Sequence, residues 1–209
     1  MTATIDRGAA VRRARLLNWF TIGWNGVEGF VAVGAGIVAG SIGLVGFGID
    51  SGIEVSAALI LMWRLRRERL DGCRQDDDAF AQRLIAVSFG LLAIYVGVEA
   101  MRDLVAGHRP DPSMVGLVMA TASLLVMPFV ARAKRRLAPV LGSRAVAAEA
   151  TQTDVCTALS AALVVGLGAN IAFGWWWADP LAAIVIAGIS GYVAYLTWTA
   201  DSLDDTCCA

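Results

Sequence analysis

The sequence predicts an all-α, polytopic membrane protein with six transmembrane helices. Three observations predict it. Apolar residues make up 57% of the 209-residue chain before its 22 glycines are counted, while charged residues make up only 17%; a soluble domain carries roughly 45–50% and about 25%. A globule of this size would bury only about 70% of its unfolded surface, too little to hide so much apolar area from water. Finally, the charges are gathered between apolar stretches of about 20 residues, the length that crosses ~30 Å of hydrocarbon. This argues against a soluble enzyme, a disordered chain and, with a net charge of −1, a nucleic-acid binder.

The first span, 16–39, follows an Arg-rich start. It is too long for a signal peptide, carries Glu28 and flows directly into another span, so it reads as a retained helix. The second, 42–63, is separated from it only by the turn at Gly40-Ser41, which makes the two a tight hairpin. Their glycines, among them Gly29, Gly36 and Gly48, read as close helix packing. The third span, 82–105, follows a basic loop and the run Asp76-Asp77-Asp78, read as solvated turn material or a helix cap. The fourth, 113–131, has no charge, and the fifth, 146–172, contains much of the uncharged run from Val155 to Ala178. The sixth, 177–200, completes a transmembrane domain of 16–200, flanked by an N-terminal segment, 1–15, and an Asp/Cys tail, 201–209.

Orientation follows from the basic residues. The N-terminus, the loop after the second span and the loop after the fourth hold 15 of the 17 Lys and Arg, Lys134 being assigned to the last of these; Arg102 and Arg109 fall on the other side. Both termini are therefore expected in the cytoplasm, in a plasma or inner membrane. The single histidine, His108, falls in a short outer loop and reads as incidental.

The informative residues are the polar ones within spans, because a charge in hydrocarbon costs several kcal/mol and marks a pathway or site by default. Asp50 and Glu54 stand at i and i+4 on the second span, about 40° apart in azimuth and ~6 Å apart in height. Two adjacent carboxylates cannot both stay ionised in low dielectric without a partner. No Lys or Arg is expected at their depth, so a bound metal cation is the natural counter-ion. Asn25 and Glu28 form an i,i+3 pair on the first span. On the fifth, Glu149, Gln152, Cys156 and Ser160 follow the spacing of one helical face, and Asp154 is rotated roughly 160° from Gln152 or Cys156.

The stretch from Ala39 through Gly40-Ser41 to Asp50 and Glu54 resembles the second-helix signature of the cation diffusion facilitator family, where two metal-binding residues stand four apart. Trp175-Trp176-Trp177-Ala178-Asp179-Pro180 is similar to the family's entry into its sixth helix. The resemblance implies a six-helix bundle of that family and a site completed by the fifth helix, with Gln152 where the family carries His and Cys156 where it carries Asp; the competing register uses Asp154. It also implies a short member without the C-terminal cytoplasmic domain of longer relatives.

The donor chemistry agrees. Hard oxygens from Asp50 and Glu54, an amide oxygen from Gln152 and a thiolate from Cys156 suit a tetrahedral divalent transition ion better than magnesium or calcium. Zinc is the first choice, with Glu28, Asn25 or Glu149 as alternative ligands. Ligands lose protons to take the ion and regain them on release, so export in exchange for protons is expected, with the ion as substrate and no tightly bound cofactor. Cys207 and Cys208 in the tail could capture metal, whereas Cys73 reads as incidental. Partners are then metal ions, protons and membrane lipid, with a homodimer left open. The alternative is a non-transporting accessory or metal-sensing membrane protein.

Overall fold

The computed structural model describes residues 7–71, 75–141 and 144–199, and among these every element is helical. The helices are α1 (Arg7–Ala39), α2 (Ile42–Asp71), α3 (Gln75–Ala106), α4 (Met114–Leu141), α5 (Arg144–Phe173) and α6 (Ala178–Thr199). Five contain stretches long and apolar enough to cross a membrane: Ala9–Ala39, Ile42–Ile60, Met114–Leu141, Glu149–Phe173 and Ala178–Thr199.

Each predicted span lies on its own helix. The helices run further than the spans toward the Arg-rich segments, because backbone hydrogen bonding continues where side chains become polar. At the opposite end they stop at glycines. Gly40, Gly107 and Gly174, all with φ near +66°, end α1, α3 and α5 in the left-handed conformation that favours glycine. Ser41 Oγ then accepts the Leu44 N–H at 3.1 Å and caps α2, and Ser113 Oγ accepts the Gly116 N–H to cap α4.

Helix α1 packs along α2, α4 along α5, and α3 along α6, with α2 also touching α3, α5 and α6. The α1–α2 approach depends on the absence of side chains. A Cβ on Gly48 would lie 2.6 Å from Val33 Cγ2 and 2.8 Å from the Val33 nitrogen. The bundle buries polar side chains within its apolar core and turns large apolar ones outward. Asn18, Asn25, Glu28, Asp50, Glu54 and Asp179 are buried, whereas Phe30, Val38, Val105 and Tyr195 are exposed. Water would penalise that distribution and lipid favours it.

At the glycine-capped end, Ser41 Oγ donates to Asp179 Oδ1 at 2.7 Å, joining the α1–α2 turn to the start of α6. Asn170 Nδ2 donates to the Pro110 carbonyl, joining α5 to the α3–α4 loop.

Candidate metal-transport site

A polar seam runs between α1, α2, α4 and α5. Helix α2 supplies Asp50, Ser51 and Glu54 from consecutive turns facing α1 and α5, with each carboxylate residue only 3% exposed. Glu28 enters from α1 and is fully buried. Its Oε2 accepts the Trp24 indole N–H at 2.7 Å, and its Oε1 accepts Ser51 Oγ at 2.8 Å and the Cys156 thiol at 3.8 Å. Ser123 of α4 stands 4.0 Å from the Cys156 sulfur. The charges acting on Asp50 are those of Glu54 and Glu28. Residues predicted from three separate stretches of sequence, Glu28, Asp50 with Glu54, and Cys156, are thus brought into one seam.

The other predicted residues divide. Asn25 is fully buried, and neither its amide oxygen nor its amide nitrogen has a hydrogen-bond partner; Glu54 Oε2 is likewise buried without one. Buried polar atoms without a partner are uncommon, which makes Asn25 and Glu54 candidate ligands. Gln152 is half-buried at the edge of the seam. Asp154 faces elsewhere and pairs with Arg135 on the helix surface, as its azimuth predicts. Cys73, Cys207 and Cys208 lie outside the described residues.

One expectation is overturned. A basic residue does stand beside the carboxylates: Lys134 is 2% exposed. Helix α4 continues past the apolar span to Leu141, which carries this lysine into the bundle instead of a loop. Its ammonium donates to Glu149 Oε1 at 3.1 Å and to Thr153 Oγ1 at 3.3 Å, and Thr153 donates in turn to Glu54 Oε1 at 2.7 Å. Glu149 is therefore engaged by a lysine. The counter-ion argument survives in a narrower form, since the seam buries the carboxylates of Glu28, Asp50, Glu54 and Glu149 against a single ammonium. Uncompensated charge of that kind is costly in a medium of low dielectric.

Sequence reasoning passed over Ser51, Ser123, Thr153 and Lys134. A signal for Thr153 was present: it lies ~40° around the helix from Glu149, nearer than Gln152 at ~60°. Nothing distinguished Lys134 from its neighbours Arg135 and Arg136. As the side chains stand, both Glu28 oxygens and Glu54 Oε1 are held by hydroxyl and indole donors, and among the described residues no three His, Cys, Asp or Glu side chains are arranged to hold an ion together. Cargo that binds Glu28 has to displace those donors.

An apolar coat around a seam rich in carboxylates defines an integral membrane protein built to handle a cation. The family profile described as the cation efflux transmembrane domain matches residues 78–200. An uncharacterized transporter of Synechocystis sp. is 26% identical over 160 residues, covering 73% of this chain and 51% of that protein. The chain thus spans about half the length of the curated relative it matches. It belongs to the cation efflux, or cation diffusion facilitator, family of transporters. Glu28, Asp50 and Glu54 precede the matched segment.

Proposed function

We propose that the chain is the membrane domain of a divalent transition-metal exporter in which Glu28, Asp50, Glu54 and Cys156 form the transport site, with Asn25 or Gln152 completing the shell. The observation that carries this reading is the burial of four carboxylates with a thiol and one ammonium in a single seam. Mixed oxygen and sulfur donors favour zinc, with cadmium, iron(II), cobalt and manganese as competitors. Because the donors take up and release protons as the ion leaves and enters, the cation moves out against protons moving in. Rocking of helices around a midplane site exposes it to each side in turn. The Lys and Arg distribution supports an inner-membrane protein with both termini in the cytoplasm.

Reconstitution tests the reading. In vesicles with the Arg-rich face outward, zinc uptake is expected when the lumen is more acidic than the bath, because protons leaving down their gradient drive the ion inward. Asp50→Ala should abolish it. A flux unchanged by Asp50→Ala would overturn the site, and absence of flux with zinc, cadmium, iron(II), cobalt and manganese would favour the accessory or sensing role.

A further inference from the structure

Lys134 is unused by the transport site as proposed, yet it is among the largest fully buried side chains of the bundle. Its position is specific. Going inward from the Arg-rich end, the seam meets Lys134 and Glu149, then Thr153 with Glu54, and only then Cys156 and Glu28. Glu149 and Cys156 are seven residues apart on α5, about 10 Å along the helix. On α4 the buried face continues one turn further out to Ala138, which packs with Val146 and Leu141, so the lysine lies just inside a small apolar cluster at that end.

Two features make this more than a structural ion pair. The lysine is bound on the side of Glu54 that faces the basic end, through a hydroxyl that is also the hydrogen-bond partner of Glu54 Oε1. A cation passing inward from that end would meet the ammonium before it reached Glu54, and like charges repel strongly where water is excluded. The second feature is the unpartnered Glu54 Oε2, which leaves the carboxylate one oxygen for cargo and one for the tether.

We propose that Lys134 is a tethered cation that forms an inner gate: with Glu149 and Thr153 it closes the Arg-rich end of the seam, and cargo reaches Glu54 only when the ammonium withdraws. This rests on the transport-site reading above. The gate excludes mobile cations while the site is closed and partly offsets the charge of the carboxylates when no cargo is held.

The test uses the full chain in vesicles with the Arg-rich face outward and Cys73, Cys207 and Cys208 replaced by Ser, so that Cys156 is the single thiol. The reaction of Cys156 with membrane-impermeant methanethiosulfonates, one cationic and one anionic, reports the opening of the gate. Lys134→Gln should speed the cationic reagent by about tenfold, a typical coupling effect, and leave the anionic one unchanged; Lys134→Arg should keep the slow wild-type rate. Unchanged rates in Lys134→Gln, or equal acceleration of both reagents, would overturn the gate, the latter because it signals loosened packing. Should Lys134→Gln fail to fold with Glu149 unpaired, Lys134→Met/Glu149→Gln removes both charges. Selective acceleration of the cationic reagent is expected there too, and its absence refutes the proposal. Zinc added to the wild type keeps the two readings separable: loss of zinc protection at Cys156 counts against the transport site whatever the gate variants do.

Discussion

Replacing Cys156 with Ser separates the thiol from every other donor in the seam. The sulfur is fully buried, 3.8 Å from Glu28 Oε1 and 4.0 Å from Ser123 Oγ, both longer than good oxygen hydrogen bonds. Little of the fold depends on those contacts. A serine hydroxyl is smaller by a fraction of an atom's volume, which at ~24 cal/mol per Å³ of cavity costs less than about 1 kcal/mol, and it can donate to Glu28 as the thiol did. Metal affinity should respond differently. A soft ligand replaced by a hard one weakens cadmium and zinc more than manganese, and a tenfold loss corresponds to about 1.4 kcal/mol. Equilibrium binding to the purified protein in detergent, measured for cadmium, zinc and manganese, is therefore expected to show cadmium affinity falling by about tenfold or more, manganese changing little, and the melting temperature moving by no more than a few degrees. Equal binding of cadmium by wild type and variant would refute the assignment of Cys156, and its abolition in Gln152→Ala would move the fifth-helix ligand to the edge of the seam.

Asp50→Asn keeps the shape of the side chain and removes its charge; zinc transport in vesicles should fall to background while the protein still purifies as a folded species. Ser41→Ala takes from Asp179 a donor at 2.7 Å, leaving a buried carboxylate whose Oδ2 already has no partner; a cost of about 1–3 kcal/mol lowers the melting temperature by roughly 2–10 °C, and an unchanged melting curve would contradict it. Gly48→Ala places a methyl group against the Val33 backbone at 2.8 Å, so α1 and α2 must separate; overpacking of about 1–3 kcal/mol should appear as lower thermal stability and reduced zinc affinity together. Arg135→Gln breaks only the surface pair with Asp154 and should change stability by less than about 1 kcal/mol, in contrast to Lys134 one position earlier.

The chain's apolar excess and the spacing of its charges pointed to lipid and to six long helices, because a helix in hydrocarbon must satisfy its own backbone and so advertises its length in the sequence. The pairing of Asp50 with Glu54 on α2, and the rotation of Asp154 away from Cys156 on α5, were likewise legible, since each follows from the helical repeat within one element. What the repeat could not supply was the arrangement between elements. That Glu28 reaches Ser51 and Cys156, that Thr153 rather than Gln152 contacts Glu54, and that Asn25 is left with open donors depend on how α1, α2, α4 and α5 rotate about one another. Lys134 shows the limit most plainly. In sequence it belongs to a basic cluster with Arg135 and Arg136; only packing of the extended α4 against α5 turns its side chain inward, where a partner carboxylate compensates the burial of its charge.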